Sequence, residues 1–298
     1  MGLGLTKERG TLTGLAFVLL SACAYGITPA MIRLAYRADL NELSVISLRS
    51  AIAAVLIWVA ARVVGEARIR RTAALRLAAL GAVLYGPQMW LYFAALRRID
   101  TAVAVAAVYI YPAIVAVIMA VRLRQPPPAA VIALVAVAVL GIATITASAG
   151  PSRVGALGIA FALVAALIYA VYVVLAASIT ATLPSLGSAA WVLTGATAST
   201  LIAAALTGQL ALPGTGLAWG YVMMHGLMLV PVGLVAFYAG LRRLGPARTA
   251  LVDTLQPVIA VSVGMAVLGE RLAPGRAVGI ALVVLAVVGT PVLAGRPQ

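Results

Sequence analysis

Long apolar runs, separated by short breaks that carry nearly all of the charge, are the feature that most limits how this chain folds. Of its 298 residues, 64% are hydrophobic and 9% are charged, whereas soluble proteins average about 45–50% apolar and about 25% charged residues. A helix that crosses a bilayer needs about 20 mostly apolar residues. The pattern therefore excludes a water-soluble globule, a disordered chain and a collagen-like chain, and it predicts an integral membrane protein.

The apolar runs number ten, which predicts an all-α membrane protein with ten transmembrane helices. We place these helices at 11–33, 42–63, 73–96, 101–121, 129–148, 155–178, 187–207, 217–241, 247–268 and 275–294. No connecting segment is long enough to fold as a soluble domain. All binding is therefore expected inside the membrane.

The net charge of +14 comes from 21 Lys and Arg residues against 7 Asp and Glu residues. The basic residues lie in the breaks between apolar runs, as is typical of membrane proteins, so we expect no nucleic-acid partner. With the N-terminus placed in the cytoplasm, 13 basic residues fall in cytoplasmic loops and 7 in external loops. This bias predicts that both termini are cytoplasmic.

Cys23 is the only cysteine, so an intramolecular disulfide is excluded. Its context, Leu20-Ser21-Ala22-Cys23, also fits a lipoprotein-type cleavage site, and the first helix would then be a signal that is removed. An internal repeat requires that helix, however, so we expect it to be retained as a span.

The two halves of the sequence resemble each other at a nearly constant offset. Three matches at an offset of 144–145 carry the pattern: Gly14–Phe17 with Gly158–Phe161, Ala94–Arg98 with Ala239–Arg243, and Pro112 with Pro257. We therefore divide the chain into two five-helix repeats, 1–150 and 151–298. Since five is an odd number, the second repeat is expected to be inverted relative to the first, an arrangement typical of secondary transporters.

Two segments near the end of the chain resemble a known family. Asp253-Thr254-Leu255-Gln256-Pro257-Val258-Ile259-Ala260, leading into Leu268-Gly269-Glu270-Arg271-Leu272, resembles the penultimate helix of the drug/metabolite transporter superfamily, in its EamA branch. Leu123-Arg124-Gln125-Pro126 departs from the corresponding Leu-Gly-Glu ending in the first half. The resemblance implies ten helices in two repeats. It also implies transport by alternating access in the bacterial cytoplasmic membrane, with the aromatic and other amino-acid exporters as the most similar members.

Polar and helix-breaking residues at membrane depth are the candidates for the transport path. The predicted substrate-binding residues are Tyr85, Gln88, Tyr92, Tyr109, Tyr111, His225 and Gln256, and the predicted hinge residues are Gly86, Pro87, Pro112, Pro231 and Pro257. Tyr25, Tyr169 and Tyr172 also lie within spans. The alternatives are that the prolines only shape their helices and that the tyrosines and the single histidine only pack helices together.

Two charged residues lie well inside spans. Asp253 is a candidate partner for a coupling proton or a substrate amine, unless it is simply hydrated at the cytoplasmic mouth. Arg49 is a candidate partner for a substrate carboxylate, but we favour a structural role in which it braces helix ends. The estimated depths of the two residues in the bilayer place them too far apart for a direct ion pair.

The residues favour transport over catalysis. No histidines, cysteines or acidic residues have the spacing of a metal site, and neither a nucleophile triad nor a phosphate-binding loop is present. We predict a secondary transporter, without cofactor, that exports small metabolites, with amino acids as the leading substrates. The alternatives are a multidrug or other metabolite transporter and, in a different class, a membrane enzyme or a non-transporting scaffold. The apolar helices at 129–148 and 275–294 are expected to serve as scaffold or as the face of a weak homodimer, if the protein is not a monomer.

Overall fold

A computed structural model describes residues 2–122, 124, 155–253 and 255–269, together with scattered positions between 129 and 144 and between 274 and 285. The side chains of residues 2–10, 247, 250 and 251 fall outside this description. The predicted spans at 129–148 and 275–294 lie mostly outside the described residues.

The first half consists of helices joined by short turns. These are α1 (Gly2–Arg37), α2 (Glu42–Val64), α3 (Arg71–Leu80), a π-helical turn (Gly81–Tyr85), α4 (Gly86–Arg98), α5 (Thr101–Val108) and α6 (Tyr111–Arg122). The π-helical turn joins α3 to α4 without interrupting the span. Two turn residues, Tyr109 and Ile110, separate α5 from α6.

The second half is built in the same way. It contains α7 (Ala156–Thr180), α8 (Ser185–Leu206), α9 (Gly216–Met224), a second π-helical turn (His225–Leu229), α10 (Val230–Asp253) and α11 (Leu255–Leu268). Within α10, Gly245 has φ 75° and ψ 172°, and Pro246 follows it, so the helix is kinked there.

The protein is an all-α membrane protein, and seven helical segments of the described residues, some of them made of two or three successive helices, are long and apolar enough to cross a bilayer. These are Thr11–Arg37, Glu42–Val64, Arg71–Arg98, Thr101–Arg122, Ala156–Thr180, Ser185–Leu206 and Gly216–Pro246. They confirm seven of the predicted spans. The predicted span at 247–268 is described as the last residues of α10 followed by the shorter apolar helix α11.

Helix α2 shows how such a span places its residues. Val55, Val59 and Val63 follow one another at four-residue spacing and are exposed, whereas Ser47 and Arg49 are buried. A soluble helix would have the opposite arrangement, because its apolar face would be buried. Polar groups inside and valines outside are what a helix in contact with lipid requires.

The helices pack in pairs that recur between the halves. Helix α1 packs along α10 and α11, and α7, its counterpart in the second half, packs along α4, α5 and α6. Helix α2 packs against α8, which is its own counterpart. The same contacts therefore occur twice with the halves exchanged, which suggests a repeat.

The two π-helical turns follow the same spacing. In the first, the N–H of Gly86 donates to the carbonyl of Gly81, and in the second, the N–H of Val230 donates to the carbonyl of His225. Gly81 and His225 are 144 residues apart, the offset of the sequence matches. A proline follows each turn by two residues, and since proline removes a helical hydrogen bond, the irregularity has the same local cause in both halves.

One end of the bundle is held together by polar contacts between α1, α2 and α4. Arg97 Nη1 lies 3.1 Å from Glu42 Oε2, and Arg98 Nη1 lies 3.8 Å from Glu42 Oε1. Arg33 Nη2 donates to the carbonyls of Leu96 at 3.1 Å and Ile99 at 2.5 Å. These contacts fix the end of α1 against the end of α4.

Candidate functional site

A cavity lies between the two halves. Its described lining comes from α1, α2, the first π-helical turn, α4 to α7, α10 and α11. The lining residues are Tyr25, Thr28, Arg49, Tyr85, Gln88, Met89, Tyr92, Val108, Tyr109, Tyr111, Tyr169, Tyr172, Leu234, Phe237 and Gln256. Most of the wall is aromatic or apolar, with a few polar groups among the rings.

The seven tyrosines named above as candidates or as lying within spans all line this cavity. Five of them form a continuous series of ring contacts. Its successive centroid distances are 5.9 Å for Tyr109–Tyr111, 4.6 Å for Tyr111–Tyr169, 5.7 Å for Tyr169–Tyr172 and 5.3 Å for Tyr172–Tyr85. Such contacts add packing stability, so the rings pack helices and form the cavity wall at once.

A hydrogen-bonded cluster around Asp253 lies behind one part of this wall. Tyr111 Oη donates to Asp253 Oδ2 at 2.8 Å, and Gln256 Nε2 donates to Asp253 Oδ1 at 2.8 Å. Tyr109 Oη in turn donates to Gln256 Oε1. Asp253 is fully buried, and its three neighbours line the cavity. The carboxylate is therefore separated from the cavity by groups that hydrogen-bond to it.

Arg49 lies in another part of the wall, on α2. Its side chain is 1% exposed, and its guanidinium carbon lies 4.8 Å from the centre of the Phe93 ring. Nη1 lies 3.4 Å from His225 Nε2. Neither Nε nor Nη2 has a hydrogen-bond partner among the residues that the structure describes.

His225 is the first residue of the second π-helical turn and is buried. Its Nε2 also lies 3.1 Å from Thr28 Oγ1, and its ring stacks on Phe93 at 6.5 Å. His225 and Asp253 are not among the described residues of the cavity wall. The histidine instead lies behind Arg49 and Thr28.

Several polar atoms near the cavity have no described partner. The hydroxyls of Tyr25 and Tyr85 and the Oε1 atom of Gln88 are buried and unpaired among the described residues. Tyr92 is also buried in the wall. Since unpaired buried polar groups are costly, these atoms are suited to hydrogen bonds with a bound molecule.

The predicted hinge residues lie at breaks in the helices. Gly86 and Pro87 begin α4 directly after the first π-helical turn, and Pro231 is the second residue of α10, after the second turn. Pro112 is the second residue of α6, and Pro257 is the third of α11. Each helix break in one half thus has a counterpart in the other.

Sequence reasoning missed some residues of the site. Phe237 lines the cavity, and Tyr238 Oη lies 2.5 Å from Tyr172 Oη. The signal that could have found them is the repeat itself, because Phe237 and Tyr238 follow Tyr92 and Phe93 by 145 residues. Gly233 lacks a Cβ, which would lie 2.9 Å from the Tyr25 ring, so this glycine allows the ring to rest on α10.

Comparisons with known proteins agree with this architecture. The model of the EamA-like transporter family matches residues 12–147 and, a second time, residues 156–290. A crystal structure of a protein 19% identical in sequence is similar in fold, with a TM-score of 0.69, covering 97% of this chain and 99% of the other. A search of curated proteins returned no match.

Proposed function

Because the chain belongs to the EamA-like transporter family, we propose that it is a secondary transporter that exports small metabolites, with amino acids as the leading substrates. The family is one of transporters and not of enzymes, and the protein is a multi-pass membrane protein. The proposed elements beyond family membership are the substrates, the direction of transport and the path of the substrate through the protein.

The cavity between the halves is the observation that carries this proposal. Its wall is mostly aromatic and apolar with a few polar groups, which is the character typical of small-molecule sites. An aromatic wall with a few unpaired polar atoms suits a solute that is polar at one end and apolar along its body. Amino acids with apolar or aromatic side chains have that character.

The proposed topology has ten spans in two inverted repeats, 1–150 and 151–298, with both termini in the cytoplasm of a bacterium. The double family match supports the repeat, as do the two π-helical turns 144 residues apart. The excess of basic residues in alternate loops supports the orientation. We expect a monomer or a weak homodimer, with lipid as its surroundings.

The proposed mechanism is alternating access around the cavity. The paired helix breaks at Pro87 and Pro231, and at Pro112 and Pro257, allow parts of the spans to tilt, because proline removes a hydrogen bond that would hold adjacent turns together. A substrate that contacts Gln256 touches a side chain that is hydrogen-bonded to Asp253. This link gives the carboxylate its proposed role as the partner of a coupling proton or a substrate amine.

The direct test is transport by purified protein in liposomes, with a panel of radiolabelled amino acids. Gln88→Ala and Gln256→Ala should each lower the transport rate about tenfold or more, since each removes a polar group from the wall. Gln209→Ala, which changes an exposed glutamine outside the cavity, is the matched control and should transport normally. Absence of transport of every amino acid would overturn the proposed substrates, and absence of transport of any solute would overturn the proposed function.

A further inference from the structure

The charges of the cavity wall are not balanced. Arg49 is the only charged residue among the described residues that line it. Asp253 lies behind the wall, where Tyr111 donates a hydrogen bond to its Oδ2 and Gln256 donates one to its Oδ1. The described wall of the cavity therefore presents a positive charge.

The guanidinium of Arg49 also has unused hydrogen-bond donors. Nη1 has His225 Nε2 at 3.4 Å, but Nε and Nη2 have no described partner. Together these two atoms carry three N–H donors in a fixed planar arrangement that matches the two oxygens of a carboxylate. A buried and unpaired guanidinium is strongly unfavourable, so an anion bound there would relieve a cost already present in the fold.

Further unpaired groups lie in the same wall. The hydroxyls of Tyr25 and Tyr85 are buried and lie close to each other, and that of Tyr85 also lies close to Arg49, so each can donate to an anionic oxygen bound there. A phosphate dianion would require a second cation, and none is present among the described lining residues. The arrangement favours a single negative charge.

The cavity wall interacts less strongly with an amino group than with a carboxylate. No described carboxylate lines the cavity, but tyrosine ring faces attract an ammonium group by cation–π interaction. The wall therefore accepts an amine without providing an ionic partner for it. The remaining volume is bounded largely by rings and by apolar side chains such as Leu234 and Phe237.

We propose that Arg49 binds the carboxylate of the transported molecule and that the cavity selects small monocarboxylates with an aromatic or apolar body, whether or not they carry an amino group. This inference rests on the proposed transport function and specifies its substrate class. It assigns Arg49 a binding role in place of the structural bracing favoured from the sequence.

Three molecules of similar size test the proposal by direct binding to the purified protein in calorimetry. Phenylalanine carries both groups, 3-phenylpropionate carries only the carboxylate, and 2-phenylethylamine carries only the amine. We expect phenylalanine and 3-phenylpropionate to bind with dissociation constants within about tenfold of each other, and 2-phenylethylamine to bind at least about 30-fold more weakly. Equal or tighter binding of the amine would overturn the proposal.

Variants of α2 provide the second arm. Arg49→Gln should weaken 3-phenylpropionate binding at least about 30-fold, and Arg49→Lys should be intermediate, because lysine keeps the charge but loses the planar fork. Arg62→Gln removes an exposed arginine from the far end of the same helix and should bind normally. If Arg49→Gln kept the wild-type dissociation constant, the proposal would be wrong.

A stability measurement distinguishes binding from bracing. Because Arg49 is mostly unpaired, Arg49→Gln should have a melting temperature no lower than that of the wild type without ligand, and 3-phenylpropionate should raise the melting temperature of the wild type alone. A lower melting temperature with unchanged ligand response would establish the bracing role. Transport of phenylalanine by the wild type in liposomes tests the proposed function separately, so failure of one proposal can be told from failure of the other.

Discussion

Replacing Gly195 with alanine tests a close approach between the two halves. Gly195 lies in α8, and a Cβ built on it would be 1.8 Å from the carbonyl oxygen of Ala78 in α3. Ordinary van der Waals contact begins at 3.4 Å, so the helices would have to separate by about 1.6 Å. The obstructing atom belongs to helical backbone and has no rotamer to change, so the cost should lie at the upper end of the overpacking range, about 3 kcal/mol.

Gly220→Ala in α9 is the matched control. A Cβ at Gly220 meets nothing within 4 Å, and both substitutions gain the same helix preference of alanine over glycine, about 0.5–1 kcal/mol. The difference between the two variants therefore isolates the clash. At about 2–4 °C per kcal/mol for a protein of roughly this size, we expect Gly195→Ala to melt roughly 6–12 °C below Gly220→Ala.

Thermal unfolding of the purified variants, followed by tryptophan fluorescence, measures this difference. Gly81→Ala should behave like Gly195→Ala, because its Cβ would lie 2.0 Å from the carbonyl oxygen of Val192 in α8. Equal melting temperatures for Gly195→Ala and Gly220→Ala would refute the backbone contact between α3 and α8 and, with it, this account of how the halves meet.

Two further predictions concern coupling and topology. If Asp253 carries a coupling proton, Asp253→Asn should transport at a rate that no longer varies with an imposed pH gradient, since asparagine keeps an oxygen for Tyr111 but cannot exchange a proton. Liposome assays at several pH gradients measure this rate. Full retention of the pH dependence would exclude that role for Asp253. The topology can be tested with single cysteines in a Cys23→Ser background. A membrane-impermeant maleimide applied to intact cells should label Leu212→Cys and not Arg68→Cys. Labelling of Arg68→Cys alone would show that the orientation is the opposite of the one proposed.

The sequence predicted the helix ends most accurately where charges mark them. The predicted span 42–63 is observed as Glu42–Val64, and 73–96 as Arg71–Arg98. The predicted end at 241 is too early, because the membrane span continues to Pro246. Arginine is itself a good helix former, so Arg242 and Arg243 mark the end of the apolar run and not the end of the helix; Arg242 Nη1 donates to the carbonyl of Leu183 at 2.9 Å.

Some residues of the site could be predicted from the sequence, and the contacts between them could not. The tyrosines of the wall were recognisable because aromatic hydroxyl groups inside a span need a polar surrounding. The contact between Arg49 and His225 was not, because it joins residues 176 positions apart on separate helices. The unpaired state of Arg49 depends on every neighbour around it, and no local sequence pattern encodes that.

The charged and titratable residues of the site have no equivalents in the other repeat. At an offset of 144, Arg49 corresponds to Leu193 and His225 to Gly81, and at an offset of 145, Asp253 corresponds to Val108. Each charged or titratable residue thus has an apolar or small counterpart, although the helix breaks and several aromatic residues are matched. A symmetric arrangement of charges would favour a substrate with two equivalent ends, whereas one arginine in one half and one aspartate in the other make the ends of the cavity different. The repeat accounts for the shape of the cavity, and the unmatched residues account for its chemical polarity.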